Sequence, residues 1–185
     1  LACIIKMSSG VDETMKQSLS VVIITLNAGH CLAACLQSVR WSDEILIVDA
    51  GSIDDTLAIA VQFGARVITE PWRGFGRQKQ FAVELAHHDW VLCVDADERV
   101  SDELAASVER VLTEPNSRGY RMARCNCFLG RWLRHGEGYP DWNLRLFDRR
   151  RGRWAEVPVH EHVVVDGEVG MLKGDLLHES QESLA

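Results

Sequence analysis

The 185-residue chain has no Cys-x-x-Cys pair, no basic excess and no apolar run of the ~18 residues that a membrane-crossing helix needs. Each absence narrows its function. Without paired spacing, the six cysteines (Cys3, Cys31, Cys35, Cys93, Cys125, Cys127) read as separate thiols of a reducing cytosol, not as zinc ligands or disulfides. A net charge of −7 lacks the basic face of a nucleic-acid binder. It leaves small anionic substrates open, since a metal can carry the compensating charge. No Gly-x-Gly-x-x-Gly follows the first apolar run, which leads instead into Thr25-Leu-Asn-Ala-Gly, and no Gly-x-x-x-x-Gly-Lys-Ser/Thr exists, which argues against a P-loop NTPase. Repeats and low-complexity tracts are also missing.

What is present is an ordinary globular composition, 46% hydrophobic and 25% charged, at a length that suits one domain. Residues 1–14 lack periodicity and read as an upstream or non-native extension, with Met15 as a natural start. His178 to Ala185 form a polar end with no closing element, as in a fragment.

Leu19 to Leu26 is a continuous β-branched run, as in a strand buried on both faces. Helical spacing follows over His30 to Val39. Glu44 to Asp49 is a second strand, and Ser52-Ile-Asp-Asp has a capping-box pattern for a helix closing at Gly64. Ala65 to Thr69 predicts a third strand, Phe75 to Ala86 a helix, Trp90 to Asp95 a fourth strand, and Ser101 caps a helix reaching Thr113. Strands alternating with helices predict an α/β, Rossmann-like, mostly parallel sheet flanked by helices. Beyond Pro115, shorter strands are expected at Gly119 to Cys127, Asn143 to Phe147, Val157 to Val165 and Met171 to Leu177. The expectation is one domain over 15–185, with a ligand-binding half at 15–115 and a smaller mixed β-rich section at 116–185.

The most informative stretch is Asp-Trp-Val-Leu-Cys-Val-Asp-Ala-Asp-Glu, beginning at Asp89. A core strand that ends in Asp95 and Asp97 delivers oxygen ligands to the sheet rim, where open α/β folds bind ligands. Such carboxylates suit Mg²⁺ or Mn²⁺ shared with substrate phosphates. Asp49 ends another strand and would face the same crevice, accepting from a base N–H or capping a turn. Gly74-Phe-Gly76 reads as a flexible turn, with Arg73, Arg77 and Lys79 either reaching a diphosphate or forming a solvated face.

Val-Val-Ile-Ile-Thr-Leu-Asn (21–27), Ile-Val-Asp-Ala-Gly-Ser-Ile-Asp-Asp-Thr (47–56) and Val-Leu-Cys-Val-Asp-Ala-Asp-Glu (91–98) resemble the landmarks of family 2 glycosyltransferases of GT-A fold. Trp-Arg-Gly-Phe-Gly-Arg-Gln-Lys (72–79), Tyr-Pro-Asp-Trp-Asn-Leu-Arg-Leu-Phe (139–147) and Val-His-Glu-His (159–162) resemble the branch adding sugars, typically β-glucosyl units, to lipopolysaccharide inner core. The likeness covers about residues 18–180. It implies a UDP-sugar donor and a lipopolysaccharide-core or related glycan acceptor. It places Thr25, Asn27 and Asp49 at the nucleoside, Lys79 or Arg77 at the nucleotide, Asp95 at the ribose or metal, and Asp97 at the metal. Leu26 departs from an aromatic that many relatives carry, and Ala50 from a frequent second Asp.

In the second section, Arg145 alternates with Leu144 and Leu146 and would face the cleft. His160 and His162 are either a metal pair or hydrogen-bonded rim residues. An inverting transferase needs a carboxylate base at the acceptor hydroxyl, with Glu161 the first choice and Asp141 the second. His178 resembles the late histidine that closes some GT-A sites and joins the metal set. Rival readings are a nucleotidyltransferase or other sugar-nucleotide enzyme, and a non-catalytic sugar-nucleotide or glycan-binding module. Arg149-Arg-Arg-Gly-Arg153, with Arg131 and Arg134, is the one dense basic cluster. It would give a cytoplasmic enzyme peripheral contact with the inner membrane, or else form a solvated turn.

Overall fold

The computed structural model describes residues 16–136, 138–155 and 161–179. Four parallel strands form the first half of the sheet. These are β1 (Leu19–Thr25), β2 (Glu44–Asp49), β3 (Arg66–Thr69) and β4 (Trp90–Asp95), in the order β3-β2-β1-β4. The connecting helices are α1 (Leu32–Ser38), α2 (Thr56–Gln62) and α3 (Phe75–Leu85).

Both faces of this sheet are covered, which explains the unbroken apolar runs. Leu19, Val21 and Ile23 of β1 pack with Leu36 of α1 and Ala60 of α2, while Val22 packs on the opposite side with Ala82 and Val83 of α3. β4 divides likewise, Leu92 and Val94 to one side, Val91 and Cys93 to the other. Burial at every position removes the polar alternation that marks a strand with a solvated face.

The chain then turns through β5 (Glu98–Val100) into α4 (Asp102–Thr113), whose first turn is capped by Ser101 Oγ accepting from the Leu104 N–H at 3.3 Å. The remaining strands are β6 (Gly119–Phe128), β7 (Arg131–Trp132), β8 (Asp141–Asp148), β9 (Gly152–Trp154), β10 (Val163–Val165) and β11 (Val169–Glu179). They do not build a second sheet beside the first. β8 lies antiparallel against β4, β6 antiparallel against β8, and β11 parallel to β6 and antiparallel to β5. The sheet therefore runs β3-β2-β1-β4-β8-β6-β11-β5, with β7 paired to β6. Only β9 and β10 stand apart, as a two-stranded ribbon whose Trp154 and Val163 join the α3 side of the core.

Two local expectations are corrected. The Ser52–Asp55 capping box does not form, because Ser52 turns back to Asp49 and α2 begins without a side-chain cap at Asp55. β5, β7 and β9, of two or three residues each, were too short to leave a periodic signal. The expected strand from Val157 falls partly on residues 156–160, outside the described residues, and His160 with it.

β11 breaks register between Met171 and Asp175, and Gly174 sits in that break with φ +88°. A Cβ there would lie 2.2 Å from Leu104 N, so glycine is what lets the first turn of α4 approach the strand.

Candidate active site

The carboxyl ends of β1, β2 and β4 meet at one rim, and the first two are bound to each other. Asp49 accepts four hydrogen bonds, from Thr25 Oγ1 (2.7 Å), Ser52 Oγ (2.6 Å), Gly51 N–H (2.9 Å) and Ser52 N–H (2.8 Å). It is 0% exposed. Burial alone would raise its carboxyl, yet the Ser52, Thr25 and Gly51 donors hold it below the usual carboxylate range. A carboxylate offers about four acceptor directions, and all are taken. Of the two readings of Asp49, base contact or turn cap, these hydrogen bonds are those of a turn cap. It orders the loop, and Thr25 is enclosed with it.

Asn27 belongs to the same brace. Its N–H donates to Ser52 Oγ (2.8 Å) and its Oδ1 accepts from Ile53 N–H (2.9 Å). Its positive φ of 51° suits asparagine. The loops after β1 and β2 are therefore tied side chain to backbone, and residues 24–28 form one wall of a cavity of about 590 Å³. Leu26, Trp72 and Phe75 give that cavity its apolar surface, the last two meeting edge to face at 4.8 Å. Trp72 is 48% and Phe75 59% exposed, beside the positive-φ Gly74. The sequence reading passed over both aromatics, although two bulky rings flanking a turn glycine were the available sign.

Beyond β4 the rim is a charge cluster of three cations and three carboxylates. Lys79 Nζ, from α3, lies 2.9 Å from Asp95 Oδ1 and 3.5 Å from Glu161 Oε1. Arg145, from β8, reaches Asp95 Oδ2 at 3.0 Å and Glu98 Oε1 at 3.4 Å. Arg124 Nε, from β6, is 3.1 Å from Glu98 Oε1, an ion pair without the alignment of a hydrogen bond. Trp154 presents its ring to both Lys79 Nζ, at 4.8 Å, and the Arg145 guanidinium, at 5.7 Å. Pairing is what makes such burial tolerable. Burial would raise Asp95, but Arg145 and Lys79 hold it well below the carboxylate range. Glu98, fully enclosed and beside Asp95, is pushed up by burial despite the pull of Arg145. Its Oε2 accepts the Asp95 N–H at 2.9 Å, fixing the turn that presents Asp97.

Asp97 points elsewhere. Its Oδ2 is 3.2 Å from His178 Nε2, and His178 Nδ1 is 2.8 Å from Asn126 Oδ1. Burial would raise Asp97, but His178 holds it below its usual range. A histidine and a carboxylate side by side, with the far ring nitrogen fixed by a hydrogen bond, are how proteins present a two-residue metal edge. The two residues would suit a divalent cation, the nitrogen donor favouring Mn²⁺ over Mg²⁺. Among the described residues no group of three or more His, Cys, Asp or Glu converges as a metal cage. Asp95, expected at the ribose or metal, has its two oxygens on Lys79 and Arg145.

Glu161 lines the 590 Å³ cavity and also a polar one of about 460 Å³ formed by β6, β8 and the β9–β10 ribbon. Lys79, Asp95 and Arg124 line both as well. Asp141 lines neither and lies 4.0 Å from Arg124 Nη1. Arg77, the alternative to Lys79, lies elsewhere. Two positions before Lys79 on a helix is about 200° of rotation, so it faces a separate groove with Arg73, Gln80 and Glu84. Arg73 is taken by Glu70 and the Phe81 ring. The basic run offers less free charge than its letters suggest. Arg149 donates to the Val83 and Glu84 carbonyls, Arg150 pairs with Asp148 and Asp89, and Arg151 with Asp166.

Residues 20–173 match the profile of glycosyl transferase family 2. The chain belongs to that family. The lipopolysaccharide core biosynthesis glycosyltransferase LpsC of Rhizobium meliloti is 37% identical over 88% of this chain and 63% of its own length. An uncharacterized glycosyltransferase of Rickettsia prowazekii is 42% identical over 91% of this chain and 62% of its own. The chain thus spans less than two thirds of these relatives. Among solved structures, S. aureus TarS 1-349 in complex with UDP-GlcNAc superposes over 90% of this chain and 59% of its own, with TM-score 0.66 and 16% identity. Glucosyl-3-phosphoglycerate synthase from Mycobacterium tuberculosis, in complex with Mn²⁺, UDP and glucosyl-3-phosphoglycerate, superposes over 57% of this chain and 43% of its own, with TM-score 0.50 and 24% identity. The fold is the GT-A arrangement expected from the sequence.

Proposed function

We propose that this chain carries the transfer centre of an inverting enzyme that moves a hexose, glucose in our reading, from a UDP-sugar to a lipopolysaccharide-core or related glycan hydroxyl. One observation carries the reading: two cavities, one apolar and one polar, share a wall of Lys79, Asp95, Arg124 and Glu161. The nucleoside lies in the apolar cavity, against Leu26, Trp72 and Phe75. The acceptor enters the polar one. The LpsC name supports the acceptor class, and the UDP and UDP-GlcNAc complexes of fold neighbours support the donor class.

Glu161 takes the proton of the acceptor hydroxyl while that oxygen bonds the anomeric carbon and the bond to the diphosphate oxygen breaks. Lys79 fixes Glu161 from one side and offers positive charge to the departing diphosphate. A double displacement would need a second free carboxylate, and Asp95 is clamped by Lys79 and Arg145. Asp97 and His178 would hold a divalent ion, Mn²⁺ or Mg²⁺, whose positive charge offsets that of the leaving group.

UDP release from UDP-glucose, with a truncated core acceptor and Mn²⁺, tests the reading. Glu161→Gln is expected to lose about 10²–10⁴-fold in turnover while still binding UDP. Asp97→Asn should lose Mn²⁺-dependent UDP affinity, read by titration calorimetry. Normal turnover by folded, UDP-binding Glu161→Gln would move the base to Asp141. No UDP binding with or without Mn²⁺ would end the donor assignment.

A further inference from the structure

The polar cavity holds more positive charge than neutral sugar recognition needs. Of its charged lining residues, four are cationic (Lys79, Arg121, Arg124, Arg145) and two are carboxylates, Asp95 and Glu161, in a chain of net charge −7. Glu98, enclosed behind the wall, offsets one more. Arg121 has no hydrogen-bond or ion-pair partner among the described residues, and Arg124 is held at Nε by Glu98, with Nη1 only 4.0 Å from the half-exposed Asp141. Arg145 is 6% exposed, its Nη2 on Asp95 and Glu98, while its Nη1 is enclosed with no hydrogen-bond partner. A buried guanidinium nitrogen with an unused donor is costly, and here it belongs to a residue lining a cavity with two further arginines.

We infer that this cavity binds an anionic substituent, a phosphate monoester or a carboxylate, carried by the acceptor beside its reacting hydroxyl. The inference rests on the assignment of this cavity to the acceptor. Planar guanidinium groups pair with such oxyanions through parallel hydrogen bonds. Trp142 and Asn143, from β8, line the same cavity and supply a flat apolar face and an amide for the sugar ring. Lys79 and Arg124 line both cavities, whereas Arg121, Trp142 and Asn143 line this one and not the apolar cavity, which sets the anion on the Arg121 side.

Calorimetric titration of the whole chain with glucose 6-phosphate, glucuronate and glucose, each with and without saturating UDP and Mn²⁺, tests this. At least one charged sugar is expected to bind about tenfold or more tighter than glucose, and which one does separates phosphate from carboxylate. Arg121→Gln, which lines the polar cavity alone, should lose about that factor for the charged sugar and leave UDP affinity unchanged, and Arg124→Gln, which lines both cavities, should lose at least that factor for the charged sugar. Arg153→Gln, an exposed arginine outside the cavity, serves as the charge control and should change nothing. Equal affinity for all three sugars, or charged-sugar binding indifferent to Arg121 and Arg124, would overturn the inference. UDP binding is read independently, so loss of the donor reading would leave the anion preference measurable in the UDP-free titrations.

Discussion

Asp49 has a chemistry of its own at the residue scale, because a fully enclosed carboxylate that accepts four hydrogen bonds acts through the loop it shapes. Asp49→Asn replaces one acceptor oxygen by an amide NH₂ that faces donors, and an unsatisfied buried group costs about 1–3 kcal/mol. That corresponds to several degrees of Tm in a chain of this size. The sign with pH follows from its lowered carboxyl. The folded form binds the proton more weakly than the unfolded one, so this stability is present above the unfolded value of about 4 and is lost as pH falls through the folded value. The Tm gap between wild type and Asp49→Asn, measured by circular dichroism, should therefore be full at pH 7 and close toward pH 3. A gap that widens in acid would contradict the enclosure. Sequence spacing could place Asp49 at a strand end and offer a turn cap as one of two roles, but could not foresee its partner across the sheet. Its partner Thr25 lies 24 residues away, and only the parallel register of β1 and β2 sets them side by side. Asp97 and His178 were legible as types, yet their 3.2 Å meeting across 81 residues depends on β11 pairing with β5 and β6.

Helix α3 shows what an element decides that a residue list does not. Its motif offered Arg73, Arg77 and Lys79 as equals, and the helical turn admits Lys79 alone to the cluster. The strands β1, β2 and β4 were legible because two-sided burial writes a continuous apolar run. Insertion of β8 between β4 and β6 was not, since pairing partners carry no local signature. α4 yields a sharper test. Ser101 Oγ caps it and also accepts the Asp175 N–H at 3.0 Å, so helix and β11 are clasped next to Gly174. Gly174→Ala introduces a methyl into backbone at a positive φ, and overpacking and left-handed strain together should cost about 2 kcal/mol or more. Gly138→Ala, with open space around its Cβ position, is the control. A Gly174→Ala protein that melts with the control would show that α4 can withdraw freely.

For the whole molecule, the useful reporter is a thiol. Cys93 lies mid-β4, 2% exposed, and burial pushes its pKa up to about 11. It is neither accessible nor ionised at neutral pH. Maleimide labelling at Cys93, followed by mass spectrometry along a thermal ramp, should begin only where the circular dichroism melt begins. Earlier labelling would mean that β4 opens while the rest of the sheet persists. The order of that sheet has a further consequence at its two borders. One ends in β3, four residues long, and the other in β5, three residues long. Long flat margins invite a neighbouring molecule to hydrogen-bond its own backbone alongside, the route to aggregation that proteins counter by keeping margins short. The longer strands between them have a neighbour on each side, although β5 covers only Leu176 to His178 of β11, so the unpaired backbone that another copy could extend is confined to short stretches of the described sheet.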